Sequence, residues 1–384
     1  MCGIFVSSSK SYSSHKNLNI AKKSLFNRGP DDVNAINPEV DLTMLHTRLA
    51  IQDKTTAGRQ PMISKFTRYA IVYNGEIYNY HFLKSYLEDK YSFVANSNCD
   101  TEILLEGFSL EGKQFIEKID GIFAFIIFDK EKDSFYVARD ALGIKPLLYS
   151  KVQDGILFSS DVKTLFQILN HPKPSNKSLV DLISLTFIPE PKTLFDEINY
   201  IEPGFLFEID RKGNFILKEK LKYSLEVACY KPEKLTNTIN NLQNLIDKSV
   251  KSQLISDANV GLFLSSGIDS SLLFSSLVRS KYDLSLALTL SWKSKANGID
   301  SQEEEKEAAK LVKEYSKFDH IEICPPSSLN SYKKVLNYLV IEGISDPAAL
   351  ATYYLSKVAR EKGCKVILAG QGADELFFGY RRHK

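Results

Sequence analysis

The sequence contains few cysteines, and they do not occur in any spacing that marks a special class of protein. No CxxC and no HExxH motif occurs, which excludes the common zinc sites. The five cysteines are too scattered for a disulfide framework. We expect four of them to be ordinary buried or half-buried thiols, namely Cys99, Cys229, Cys324 and Cys364.

A surplus of charge and a long apolar run are also absent. Lysine plus arginine number 49 against 47 aspartates and glutamates, a formal net charge of +2, so neither nucleic acid nor an anionic membrane is expected as the main partner. The longest apolar stretch, residues 121–128, is far shorter than the roughly 20 residues that cross a bilayer. The first residues lack the basic and apolar regions of a signal peptide, and we expect a cytoplasmic protein.

The chain divides into two parts that differ in patterning. Its 384 residues, 43% hydrophobic and 25% charged, suggest two globular domains at roughly 100–200 residues each. Residues 2–212 contain short strands, such as 69–73 and 134–139, with amphipathic segments between them, which is typical of an α+β domain. After a predicted linker at 213–235, residues 236–384 alternate helices with near-continuous apolar strands. That alternation predicts an α/β parallel-sheet, nucleotide-binding domain.

Cys2 begins a series of motifs in the N-terminal part. Removal of Met1 would leave an α-amino group beside the Cys2 thiol, and its reference pKa of about 8 lets it accept the thiol proton. By itself a cysteine at this position is weak evidence. The motifs that follow it in order are NRGPDD (27–32), HTRLAI (46–51), GRQPM (58–62), YNGEIYN (73–79), NCDTE (98–102), DG (120–121) and RDALGIKP (139–146).

In order and spacing these motifs resemble the class II, N-terminal-nucleophile glutamine amidotransferases over most of residues 2–210. The resemblance implies an α-β-β-α sandwich with Cys2 as nucleophile. The Asn74 side chain and the Gly75 backbone N–H would form the oxyanion hole, although Asn-Gly taken alone is a hairpin-turn signal. The implied glutamine-binding residues are Arg48, Leu49, Ala50, Ile51, Gln52, Asn74, Gly75, Glu76 and Asp100. Among them Arg48 would bind the α-carboxylate and Asp100 the α-ammonium.

A small-residue loop in the C-terminal part predicts an anion site. The apolar strand 260–264 runs into the loop SSGIDSS (265–271) and then a helix, so that N–H groups, hydroxyls and the helix N-terminus face one point. The loop resembles the pyrophosphate loop of the ATP-pyrophosphatase family, with Ser266 replacing the first glycine. The implied ATP contacts are Leu264, Ser265, Ser266, Gly267, Asp269, Ser270, Leu290, Ala369 and Gly370.

Residues 369–380 (AGQGADELFFGY) resemble the GEGADE–GY segment of the glutamine-dependent asparagine synthetases. The resemblance implies that Asp269 and Asp374 hold Mg²⁺ against the ATP phosphates, with Asp346 and Gln371 at the acceptor and adenylate site. Gln371 departs from the family's usual glutamate and cannot take a proton. The chain also ends soon after this segment, where the family continues with a helical part that bears a lysine, so we expect a truncated or natural short form.

The resemblance implies glutamine-dependent asparagine synthesis. Cys2 would hydrolyse glutamine, and the ammonia would amidate an aspartyl-adenylate made from aspartate and ATP, which releases AMP and pyrophosphate. Two alternatives stay open: amidation of a sugar acid or another carboxylate, which Gln371 favours, and a glutaminase with an inactive, truncated synthetase domain. A non-enzymatic binding protein would require Cys2 and Asp269 to be retained by chance. A homodimer is one option for the assembly.

Overall fold

The computed structural model describes residues 1–170, 172–221, 234–290, 307–308, 310–312, 314, 319–326, 328–346 and 348–379. The chain forms two compact units. One unit comprises Met1–Glu226 with Leu336–Asp346, and the other comprises Val227–Val335 with Pro347–Lys384. No helix among these described residues is long and apolar enough to cross a membrane.

The N-terminal unit contains two six-stranded antiparallel sheets. Its strands are β1 (Gly3–Ser7), β2 (Asp32–Glu39), β3 (Leu42–Arg48), β4 (Met62–Ile63), β5 (Tyr69–Ile77), β6 (Gly121–Asp129), β7 (Ser134–Arg139), β8 (Leu148–Val152), β9 (Gly155–Ser159), β10 (Asn199–Tyr200), β11 (Phe205–Asp210) and β12 (Phe215–Lys220). The first sheet has the order β10-β8-β9-β1-β3-β2, and the second has the order β12-β11-β7-β6-β5-β4.

Helices cover the outer face of each sheet. They are α1 (His15–Leu25), α2 (Tyr80–Tyr91), α3 (Asp100–Glu111), α4 (Lys113–Ile116), α5 (Val162–Ile168) and α6 (Asn176–Leu185). Strand β6 is apolar from Ile122 to Phe128, and residues on both of its faces are buried. Ala124, Ile126 and Phe128 join the core between the sheets, while Phe123 and Phe125 point to the other side. This arrangement confirms the α-β-β-α sandwich predicted from the sequence.

The C-terminal unit contains a four-stranded parallel sheet in the order β15-β14-β13-β16, as the alternating pattern predicts. Its strands are β13 (Val260–Phe263), β14 (Leu286–Leu290), β15 (His320–Ile323) and β16 (Val366–Leu368). The helices are α7 (Leu235–Ser252), α8 (Ile268–Arg279), α9 (Leu329–Ile341, at the division between the units), α10 (Ala348–Glu361) and α11 (Ala373–Phe377). An acidic helix predicted for residues 302–315 lies largely outside the described residues.

The cysteine predictions hold in part. Cys99 and Cys364 are buried thiols, as predicted. Cys324 is exposed, so its assignment as a buried or half-buried thiol was wrong; it follows β15 at the point where the chain leaves the sheet. Cys229 lies outside the described residues.

Arg139 is a buried cation at the end of β7, 1% exposed. Its guanidinium donates to the carbonyls of Lys145, Gly143 and Ile201 at 2.9, 2.7 and 2.7 Å. It also pairs with Glu190, Nη1 to Oε2, at 2.7 Å. These bonds tie the loop that follows β7 to the sheet.

We expect Arg139→Met to lower the free energy of unfolding by about 3 kcal/mol or more, because each charge-assisted hydrogen bond contributes about 1.5–3 kcal/mol and the acceptors lose their donor. Urea denaturation measures this change. The matched control is Arg59→Met, because Arg59 pairs with Asp32 at 2.6 Å but its side chain is 48% exposed. The control substitution should lower the free energy of unfolding by less than about 1 kcal/mol. Equal losses of unfolding free energy in the two variants would contradict the assignment of Arg139 as an anchor.

Candidate active site

Cys2 lies immediately before β1, a central strand of the first sheet that is hydrogen-bonded to β3 and β9. Its backbone nitrogen donates to Oδ1 of Asn74 in the second sheet at 2.9 Å. Its thiol sulfur accepts the backbone N–H of Leu49 at 3.4 Å. The structure therefore holds the predicted nucleophile by contacts to both sheets.

Asn74 and Gly75 lie inside β5 and do not form a turn. They pair with Ala124 and Phe123 of β6 in an antiparallel register. Nδ2 of Asn74 is buried and has no hydrogen-bond partner in the described part of the chain, so this donor is free to bind an oxyanion. A Cβ atom at position 75 would lie 2.5 Å from the carbonyl oxygen of Ile122, and only glycine fits there.

The α-amino group at the start of the chain is in a desolvated setting. Burial lowers the pKa of the Met1 α-amino group to about 5. The charges of Lys145 and Arg28 lower this pKa further, whereas Cys2 and Glu76 oppose the change. If Met1 is removed, the Cys2 nitrogen that donates to Asn74 Oδ1 becomes the α-amino group, and its neutral form is the one that accepts a proton.

Two carboxyl groups, Glu76 on β5 and Asp100 at the start of α3, interact electrostatically. Asp100 is buried, and its Oδ2 accepts the Tyr73 hydroxyl at 2.8 Å and the Ile77 backbone N–H at 3.0 Å. Glu76 accepts Nε2 of Gln52 at 2.7 Å. Burial raises the pKa of both carboxyl groups, and the charge of Asp100 raises that of Glu76 further. A cationic ligand group would relieve this repulsion.

Arg48 is buried at the end of β3, and its guanidinium is already engaged. Nη1 donates to the carbonyl of Thr55 at 2.7 Å, and Nη2 donates to the carbonyls of Gln52 and Asp53. These bonds order the loop after β3. A ligand carboxylate at Arg48 would therefore share the guanidinium with loop carbonyls, which the sequence did not indicate.

The remaining predicted pocket residues lie on the same loop. Leu49 contacts the thiol of Cys2, as described above, and Ala50 donates its backbone N–H to Oδ2 of Asp31 at 2.8 Å. Ile51 is half-buried. Arg28 and Lys145, in the motifs NRGPDD and RDALGIKP, had no role assigned from the sequence. Their charges act on the Met1 α-amino group.

The predicted anion cradle in the C-terminal unit joins β13 to α8. The Ser265 and Ser270 hydroxyl oxygens are 2.9 Å apart, and the Ser265 backbone N–H donates to Oγ of Ser270 at 3.0 Å. The Gly267 N–H donates to Oγ of Ser265 at 3.2 Å. These hydrogen bonds close the loop. Ser266, which lies between Ser265 and Gly267 in the sequence, is half-buried. The helix N-terminus follows directly at Ile268.

Residues after β16 reach the same cradle. A Cβ atom at Gly370 would lie 2.9 Å from Cβ of Asp269 and 3.1 Å from the Ser270 nitrogen, so the two segments are in close contact. Burial, followed by the charges of Asp374 and Glu375, raises the pKa of Asp269. The structure thus brings Asp269 and Asp374 into electrostatic contact. No group of three His, Cys, Asp or Glu side chains able to hold a metal ion occurs in the described part of the chain.

The other predicted ligand contacts differ in exposure. Leu264 is buried and its carbonyl accepts the Thr289 hydroxyl at 2.8 Å, whereas Leu290 is half-buried at the end of β14. Ala369 and Gln371 are exposed after β16. Asp346 is also exposed, and it belongs to the N-terminal unit.

The chain matches known protein families over both of its parts. Residues 1–221 match the model of a glutamine amidotransferase domain, and residues 241–384 match that of asparagine synthase. The chain is 31% identical, over 95% of its length, to the protein assigned as glutamine-hydrolysing asparagine synthetase 2 of Methanocaldococcus jannaschii, and it covers 73% of that protein. The chain belongs to the glutamine-hydrolysing asparagine synthetase family.

Other relatives in this family are longer than the chain. It is 34% identical over 94% of its length to asparagine synthetase 1 of Bacillus subtilis, and 28% identical over 92% to asparagine synthetase B of Escherichia coli. The chain spans 55% and 59% of these two asparagine synthetases. Both domain types of the family are nevertheless represented in it.

We expect Asn74→Asp to lower kcat for glutamine hydrolysis by about 10²–10³-fold, because the free Nδ2 donor is replaced by an oxygen while the acceptor for the Cys2 nitrogen is kept. The Michaelis constant for glutamine should change little. The control is Asn237→Asp on the exposed surface of α7. An unchanged kcat, measured by glutamate release, would exclude Asn74 from the oxyanion hole.

Proposed function

We propose that the protein hydrolyses glutamine at Cys2 and uses the ammonia to amidate a carboxylate that ATP has activated, with aspartate as the acceptor. The observation that carries the first half is the 2.9 Å hydrogen bond between the Cys2 nitrogen and Asn74 Oδ1. It leaves the buried Nδ2 of Asn74 as a free donor next to the nucleophile. Membership of the family supports the second half.

Glutamine would bind as a zwitterion. Its α-ammonium fits the paired carboxylates of Asp100 and Glu76, and its α-carboxylate fits Arg48. The Cys2 thiol gives its proton to the neutral α-amino group and attacks the side-chain amide carbon, and the oxyanion is held by Asn74 Nδ2 and the Gly75 N–H. The protonated amine then returns the proton to the departing ammonia. Water hydrolyses the thioester to glutamate and restores the thiol.

The cradle between β13 and α8 would bind the phosphates of ATP. Backbone N–H groups at a helix N-terminus favour anions, and the close approach of Gly370 leaves no space for a side chain there. Asp269 and Asp374 fit Mg²⁺, because two carboxylates supplemented by phosphate oxygens are a common ligand set for this ion. When bound, Mg²⁺ would neutralise phosphate charge. The acceptor carboxylate attacks the α-phosphate and expels pyrophosphate, and ammonia then displaces AMP.

We propose aspartate as the acceptor because the chain shares both domains with proteins that are named asparagine synthetases. Gln371 is the residue of the C-terminal unit that we assign to the acceptor. ATP–pyrophosphate exchange with aspartate and with candidate sugar acids tests the choice directly. Exchange with a sugar acid and not with aspartate would favour the alternative acceptor.

We expect the mature protein to begin at Cys2, and Cys2→Ala to abolish glutamine hydrolysis while leaving any ammonium-dependent amidation intact, because the second reaction does not use the thiol. Intact mass and glutamate release are the measurements. Cys324→Ala, which removes an exposed thiol of the C-terminal unit, is the control. Retention of Met1 on protein with full glutaminase activity would contradict the proposed base.

We expect Asp269→Asn to weaken Mg·ATP binding by about 10-fold or more, because it removes one of two carboxylates proposed for the ion. Isothermal titration calorimetry with and without Mg²⁺ measures this effect. Asp283→Asn, in the exposed loop before β14, is the matched control. Equal affinity for Mg·ATP in Asp269→Asn and in the native protein would show that Asp269 does not contribute to the site.

A further inference from the structure

Asp53 lies in the loop after β3 and is a buried charged residue, 8% exposed. Its backbone is left-handed, with a φ angle of 49°. Aspartate and asparagine tolerate this conformation better than most other side chains do. The carbonyl of Asp53 accepts a hydrogen bond from Nη2 of Arg48. Asp53 therefore belongs to the loop that surrounds the Arg48 guanidinium.

The two side-chain oxygens of Asp53 bind different parts of the chain. Oδ1 accepts the backbone N–H of Thr55 at 2.9 Å and the Thr55 hydroxyl at 2.5 Å. A bond to the residue two positions ahead is a common local turn of aspartate. Oδ2 accepts the backbone N–H of Asn98 at 2.9 Å, across 45 positions of the sequence. The local turn does not explain this second bond, which joins the loop after β3 to the segment that enters α3.

The segment that contains Asn98 is also attached to α3 itself. Glu102, in the first turn of that helix, accepts the backbone N–H groups of Asn96 and Ser97 at 2.8 and 2.7 Å. Asp100 begins the helix two residues after Asn98, and its side chain is bonded to β5, as described above. The segment therefore offers a fixed point to which the loop after β3 is joined.

The hydrogen bonds of Asp53 are formed with an ionised carboxylate. Burial alone would raise the pKa of Asp53, but the hydrogen bonds from Thr55 and Asn98 and the charge of Arg48 together lower this pKa below its usual value. A carboxylate accepts hydrogen bonds at both of its oxygens. Hydrogen bonds to an ionised acceptor are stronger than those between neutral groups, so the link between the two segments is a strong one.

We propose that Asp53 is a positioning residue for glutamine, which sets the distance between Arg48 and Asp100 by joining the loop around the first to the segment before the second. The inference rests on the proposed binding of the glutamine α-carboxylate at Arg48 and of its α-ammonium at Asp100. Both groups are attached to one carbon atom, so the ligand needs its two partners at a fixed separation. A ligand with one charged group has no such requirement. Asp53 thus determines how well the pocket distinguishes a zwitterion from a simple carboxylate.

The test compares L-glutamine with 4-carbamoylbutanoate, which is glutamine without its α-ammonium group. Asp53→Asn keeps the size of the side chain and its tolerance of left-handed backbone, but it cannot accept hydrogen bonds at both positions. We expect the Michaelis constant for L-glutamine to rise about 10-fold and kcat to stay within about three-fold, because a charge-assisted contact of the ligand is misaligned. The inhibition constant of 4-carbamoylbutanoate against glutamine hydrolysis should change by less than about two-fold, since this ligand follows Arg48 without a second partner.

Asp210→Asn is the matched control. Asp210 also accepts a backbone N–H in a turn, that of Asn214 at 2.8 Å, but this turn joins β11 to β12. Asn98→Ala is a second control, because Asp53 is bonded to the backbone of Asn98 and not to its side chain. Both controls should leave the two constants at their native values. An unchanged Michaelis constant for glutamine in Asp53→Asn, or an equal rise in both constants, overturns the proposal.

Asp53→Gly keeps the test decisive if Asp53→Asn does not fold. Glycine adopts left-handed backbone readily and removes both acceptor oxygens, so the same difference between the two constants is expected, and its absence would overturn the proposal. A Michaelis constant does not depend on the fraction of protein that is folded, so partial unfolding does not imitate the effect. Glutaminase activity that survives in Cys2→Ala would instead refute the proposed hydrolysis at Cys2, so the two failures are distinguishable.

Discussion

The hydrogen bond from the Cys2 backbone nitrogen to Oδ1 of Asn74 joins the two sheets of the N-terminal unit at the reactive thiol. Cys2 precedes a strand that has hydrogen-bonded neighbours on both sides, and Asn74 lies within a strand paired to β6. Neither partner depends on a flexible loop for its position. The distance between the thiol and the Nδ2 donor is therefore determined by the packing of the two sheets, which is the kind of support that precise catalytic geometry needs.

Burial shifts the ionisable groups around this bond toward their neutral forms. It lowers the pKa of the Met1 α-amino group and of Lys145, and it raises the pKa of Glu76 and Asp100. Desolvation thus makes a cationic ligand group favourable beside the two carboxyl groups. In the proposed complex, a zwitterionic amino acid would supply that cation and place its own anion near Arg48, which a neutral amide could not do.

Much of the sandwich follows from local pattern. Residues 134–139 were predicted as a strand and form β7 with the same bounds, because alternating and apolar residues there lie between clear turn signals. The strand predicted for residues 69–73 instead continues to Ile77. An Asn-Gly pair predicts a turn when it is read alone. Here the Asn74 side chain accepts a hydrogen bond from Cys2, and Gly75 approaches the backbone of Ile122. Both contacts join distant parts of the chain, so the local sequence does not reveal them.

The position of Leu336–Asp346 could not be predicted in the same way. Its apolar residues indicate a helix with one buried face, but periodicity does not tell which core that face joins. The choice depends on particular contacts, such as the hydrogen bond between Ser345 and Thr186. The same is true of Arg48, whose role in ordering its loop is visible only once the carbonyls of that loop surround it. Sequence motifs therefore locate the groups that react, whereas the groups that hold them in place are found only when distant segments meet.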